Sequence, residues 1–152
     1  MRTSTATEHA PPPVVHTAAM LWLSAVALGA FETVLMIGRL LYEGTPVIGV
    51  AGQAGFRLAV FAGAMFLALR LKEGANWARW TLAGTLGVLG TASLVAGPVE
   101  WLLAGGSIAV AAAEADALTW VFAAGRTLHV LAVLGALALM FQPRANAYFR
   151  SA

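Results

Sequence analysis

Apolar residues run almost without a break through four stretches of the chain, from about Thr17 to Leu41, Val47 to Leu71, Trp80 to Val99 and Ala117 to Phe141. Each supplies the ~20 residues an α-helix needs to cross about 30 Å of hydrocarbon. Charged or titratable residues interrupt them rarely: Glu32 and Arg39 in the first, Arg57 and Arg70 in the second, none in the third, Arg126 and His129 in the fourth. Turn-forming residues separate them. Glu43-Gly44-Thr45-Pro46 comes first, then Lys72-Glu73-Gly74, then a longer stretch from Gly97-Pro98 to Asp116 that contains Gly105-Gly106. Backbone in lipid must satisfy its own hydrogen bonds, as helices and closed barrels do. Runs this long and evenly apolar fit helices and not alternating barrel strands of about ten residues. The pattern predicts an all-α membrane protein, with four transmembrane helices in an up-down bundle.

Composition removes the competing classes. AVILMFWYC residues make up 60% of the chain and DEKR residues 11%, against roughly 45–50% and about 25% in soluble domains. So few charges cannot cover a soluble surface. Cysteine is absent, which removes disulfides, thiolate metal sites and cysteine nucleophiles. A net charge of +2 gives no reason to expect nucleic acid.

The ends read differently from the middle. Residues 1–13 are polar and finish in Pro11-Pro12-Pro13, the composition of a flexible tail. Ala27-Leu28-Gly29 resembles a signal-peptide cleavage site, but the apolar run continues past Glu32 to Leu41 and no basic segment precedes it. The first run is therefore expected to stay as a spanning helix. Residues 14–142 form the expected transmembrane domain, and residues 143–152 a cytoplasmic C-terminal tail.

Basic residues set the expected orientation. Arg2, Arg70, Lys72, Arg79, Arg144 and Arg150 fall on the side of the N-tail, second connection and C-tail, whereas Arg39 alone lies near the first connection. That opposite side carries Glu43, Glu100, Glu114 and Asp116. Both termini are thus expected in the cytoplasm, with the protein multi-pass in the plasma membrane. Trp77, Trp80, Tyr148 and Phe149 at the inner boundary, and Tyr42, Trp101 and Trp120 at the outer one, match an interfacial aromatic belt.

Candidate chemistry lies in the ionisable residues at depth, because a charge at the bilayer centre costs about 2.5–3.5 kcal/mol unless it faces the bundle and finds a partner. Glu32, Arg57, Glu100, Arg126 and His129 all fall in the outer half, Glu32 roughly 9 Å deep. Helical spacing puts Glu32 with Arg39, Gln53 with Arg57, Ser93 with Glu100, and Arg126 with His129, each pair on one face. Four such faces turned inward would form a site open to the outside. The competing reading is a set of structural ion pairs that fix helix register, with Glu32 neutralised first by Arg126 and second by Arg57. Glu32 and His129 are the candidate catalytic pair should the site do acid–base work.

No cofactor or metal is expected. Haem between two helices needs histidines at matching depth, but His16 starts the first helix, His129 lies near the midplane and His9 is in the tail. No ligand cluster for zinc is present. Gly49, Gly52 and Gly55, Ala59 with Gly63, and Gly84, Gly87 and Gly90 form small-residue stripes expected to pack the helices together. The Ala-rich stretch before Asp116 suggests a short helix over the outer mouth, with Glu114 and Asp116 complementing the start of the fourth helix.

Gly74-Ala75-Asn76-Trp77-Ala78-Arg79, Arg126-Thr127-Leu128-His129 and the ending Pro143 to Arg150, with Tyr148-Phe149-Arg150, together resemble a group of small, uncharacterised four-helix membrane proteins common in actinobacteria. The resemblance implies a plasma-membrane location and no particular chemistry. The expected function is binding of a small molecule or lipid headgroup in the outer-half site, or service as an accessory subunit. The alternatives are a membrane-embedded isomerase or cyclase and an oligomeric transporter component. Expected partners are the lipid bilayer and a second copy or another membrane protein.

Overall fold

The computed structural model describes residues 11–151. Arg2, His9 and most of the expected N-terminal tail lie outside the described residues. The helices are α1 (Pro13–Tyr42), α2 (Val47–Lys72), α3 (Asn76–Thr81), a π segment (Leu82–Gly90), α4 (Thr91–Leu103), α5 (Ile108–Glu114), α6 (Ala117–Met140) and α7 (Pro143–Ser151). Among the described residues there is no strand. α3, the π segment and α4 run on as one helix, Asn76–Leu103. Four helices are long and apolar enough to cross a membrane: α1, α2, Asn76–Leu103 and α6. Large apolar side chains such as Ile48, Phe56, Leu58, Val88 and Leu89 stand exposed on them, which suits lipid and not water.

The connections follow from glycine. α1 ends with Gly44 at φ 86°, where Thr45 N–H donates to Leu40 O at 2.9 Å and Gly44 N–H to Leu41 O at 3.1 Å. α2 ends the same way at Gly74, φ 84°, with Ala75 N–H on Arg70 O. This left-handed closure satisfies the last carbonyls of the helix and reverses the chain within a few residues. α1 packs most extensively on α6 and α2, while the π segment touches α2 and α6. The four long helices therefore close a ring, with the last beside the first.

Packing is uneven along that ring. At the end holding Pro13, Lys72, Asn76 and Met140, here the basic end, Val15, Ala18, Ala19, Trp22, Leu71, Leu82, Ala136 and Met140 are all buried in one cluster. Alanines let the backbones approach, and Trp22 fills the middle, its indole N–H donating to Met140 Sδ at 3.4 Å. Toward Tyr42, Val47, Leu103 and Ala117, here the acidic end, α4 and α5 bury no residue and the first half of α2 buries only Val50. The helices are packed at one end and parted at the other.

The third long helix runs from Asn76 to Leu103, past both ends of the Trp80–Val99 apolar run, so Arg79 is inside the helix and buried. The C-terminal segment, expected as a cytoplasmic tail, is a helix docked on the basic end, with Ala145 and Phe149 buried. Arg79 holds it: a guanidinium nitrogen donates to Asn146 Oδ1, and the guanidinium carbon lies 4.2 Å from the Phe141 ring centroid and 5.1 Å from that of Phe149. Tyr148 OH donates to Lys72 O at 3.1 Å. The small-residue stripes also do less packing than expected. Gly87 meets Leu137, but a Cβ at Gly52, Gly55, Gly63 or Gly84 would touch nothing.

Candidate functional site

Where the helices part they leave a cavity of about 330 Å³. α1 contributes one stripe at helical spacing: Trp22, Ala25 with Val26, Gly29 and Glu32. α2 contributes Gln53, Phe56 with Arg57, Val60 with Phe61, and Ala64. The π segment adds Leu86 and Gly90, α4 adds Ser93 and Leu94, and α6 adds His129 and Val133. Small residues on α1 make the room. A Cβ at Gly29 would stand 3.0 Å from Phe61 Cε1 and 3.4 Å from His129 Cε1. The widened π turn places Gly90, without a side chain, on the opposite wall.

The lining is graded along the helix axes. Trp22, Ala64, Leu86 and Val133 make an apolar floor toward the basic end. Glu32, Gln53, Arg57, Ser93 and His129 bring polar groups toward the other end. α1 continues to Tyr42, so Glu32 lies ten residues from the end of its helix, or roughly 15 Å along it. α2 and α4 both line the cavity but barely touch each other, and Phe56 beside that gap is 70% exposed. Contact is therefore thin on the α2–α4 side of the cavity.

Glu32 is the unusual group. Its side chain is only 8% exposed. Oε1 is buried without a hydrogen-bond partner, and Oε2 meets Arg126 Nη2 at 3.9 Å, an ion-pair approach too long for a hydrogen bond. α6 comes close at Gly125, where a Cβ would stand in ordinary contact with Oε1 at 3.5 Å. Arg57 does not reach the carboxylate as a bonded partner. Its Nη1 donates to Thr33 Oγ1 at 3.2 Å, and that hydroxyl donates to Gly29 O at 2.7 Å.

Of the five residues expected to share a site, Glu32, Arg57 and His129 line the cavity together. Arg126 stands outside it, 46% exposed, and approaches Glu32 from the rim. Glu100 is exposed on α4, a helix without a buried residue, and is not at the cavity. Arg39 pairs with Glu43 at 2.7 Å on the surface. Gln53 and Ser93, placed by spacing on the faces of Arg57 and Glu100, do line the cavity. Thr33 and the aromatic wall of Trp22, Phe56 and Phe61 were not anticipated as part of the site; a buried threonine beside Glu32 carries no signal of its own in an apolar run.

The expected short helix is present as α5, but it does not lid the cavity. It packs beside Trp101 and Trp120 over a separate pocket of about 200 Å³. Asp116 caps α6, accepting from Thr119 N–H at 2.7 Å. Among the described residues no cluster of three or more His, Asp or Glu side chains is placed to hold a metal. No protein-family model, curated protein or solved structure matches the chain. Chemically, the arrangement offers a carboxylate with spare acceptor capacity, a guanidinium and an imidazole at one level of a largely apolar chamber.

Proposed function

We propose that this is a small multi-pass protein of the plasma membrane that binds a small molecule or lipid headgroup drawn from the bilayer into the cavity between its helices. The observation that carries the reading is the cavity itself: apolar below, polar at one level, and thinly closed between α2 and α4. Ligand sites are typically concave and apolar with a few placed polar groups, and this volume sits at the low end of their range. The basic residues Arg70, Lys72, Arg144 and Arg150 gather at the end opposite Glu43, Glu100, Glu114 and Asp116, which supports an up-down bundle with cytoplasmic termini.

Native mass spectrometry of the detergent-purified protein tests this. The wild type should retain an apolar adduct, and Ser93→Phe, which puts a ring into the mouth, should lose most of it. Identical adduct patterns for both proteins would count against the cavity as the binding site. A second reading has one observation in its favour: Glu32 and His129 line the same chamber, as acid–base catalysis on an apolar substrate would require.

A further inference from the structure

We infer that the molecule taken up is electrically neutral and carries a hydroxyl group, which it donates to the Glu32 carboxylate: an apolar alcohol or phenol, and not a phosphate-bearing lipid. This rests on the binding role proposed above and narrows it. Glu32 lines the cavity with its side chain 8% exposed; Oε1 is closed off without a partner, and Oε2, the oxygen a bound molecule can reach, has only Arg126 at 3.9 Å. A buried carboxylate without hydrogen bonds is costly, and its remaining demand is for a donor. Arg57 is already committed to Thr33, so the nearest cation on the cavity wall does not supply one.

Depth chooses among donors. The carboxylate stands ten residues from the end of the 30-residue α1, which with the helix centred on about 30 Å of hydrocarbon puts it roughly 7 Å inside the core. A phosphate head would have to shed its water to reach that level and would then meet the negative charge of Glu32. An ammonium head would be attracted by Glu32 but repelled by Arg57 and Arg126 on either side. A hydroxyl pays neither cost. It donates to Glu32, its own oxygen can accept from His129 or Gln53, and its apolar body fits against Trp22, Phe61 and the floor. Neutral alcohols also reach the bilayer interior, which borders the thinly closed α2–α4 side of the cavity.

Three probes with one tail test the inference: farnesol, farnesyl methyl ether and farnesyl phosphate, each titrated against the full chain in nanodiscs. Farnesol should bind about tenfold or more tightly than the ether, because losing the donor leaves Glu32 unpaired, and more tightly than the phosphate. Glu32→Met, which removes the acceptor at similar volume, should bind farnesol and its ether alike. Should that variant fail to insert, the wild-type comparison decides alone. Ether or phosphate binding as tight as farnesol overturns the hydroxyl inference and leaves the binding role standing. If none of the three binds, the hydroxyl inference falls, and the adduct comparison of wild type with Ser93→Phe decides the binding role.

Discussion

At the scale of single residues the Glu32–Arg126 pair is lopsided. Glu32 is buried and Arg126 is half exposed, so removing one partner is not equivalent to removing the other. Arg126→Ala strands a buried carboxylate and should cost about 3 kcal/mol, the lower part of the range for breaking a buried pair. Glu32→Ala leaves an arginine whose long side chain reaches the rim, and should cost clearly less. The double change Glu32→Gln with Arg126→Gln should recover much of the Arg126 loss. Unfolding in mixed micelles would measure all three; a larger loss for Glu32→Ala would contradict the burial asymmetry. The sequence alone pairs these two residues through helix order, but it does not show this asymmetry. Burial depends on where helices part, and nothing in residue spacing encodes that.

At the scale of elements, the long helices were legible because length and apolar content decide them. The π segment was not. It runs from Leu82 to Gly90 in residues that would serve an ordinary helix equally well. α7 was also hidden: nine polar-rich residues are too few for a periodic signal, and Arg79 reads as a flanking charge until Phe141 and Phe149 are seen to surround it. The docking depends on the flat guanidinium stacking on rings. Arg79→Lys should therefore loosen α7 nearly as much as Arg79→Leu, raising hydrogen exchange across Pro143–Ser151 at least several-fold while α1 and α6 keep their protection. Rescue by lysine would mean that charge alone holds the helix.

The start of α6 has a pH dependence with a definite sign. Hydrogen bonding from Thr119, side chain first and backbone N–H second, holds Asp116 below its ordinary carboxylate range. A depressed folded value means the cap stabilises fully above the unfolded value near 4 and is lost as pH falls through the folded one. Protection of the Thr119 amide, corrected for intrinsic exchange, should hold from neutrality to about pH 5 and drop at lower pH. Asp116→Asn, which still caps, should show no such drop. A decline in both proteins would locate the titrating group elsewhere.

For the whole molecule, charge and packing divide along the same axis. The basic end is the packed end and carries α7; the acidic end is parted and holds the chamber above a tight floor. Reporter fusions should therefore read cytoplasmic after Lys72 and after Ser151, and external at Gly105-Gly106. External signals after both Lys72 and Ser151 would invert the bundle, and an external signal after Ser151 alone would mean an odd number of spans between the two. The small-residue stripes show why the arrangement was only partly readable. Gly52, Gly55 and Gly63 look like packing surfaces in sequence, yet they face away from the other helices, and no local pattern says which side of a uniformly apolar helix turns inward.

The claim on which all of this depends is that the chamber fills with an apolar molecule from the bilayer. In nanodiscs, a diazirine-bearing farnesol analogue should on irradiation label chamber residues such as Phe61 and Ser93, and excess farnesol should suppress that labelling about tenfold or more. Labelling at Leu103, outside the chamber at the exposed end of α4, should not be suppressed. No label on the chamber residues, or equal suppression at both places, would contradict the account.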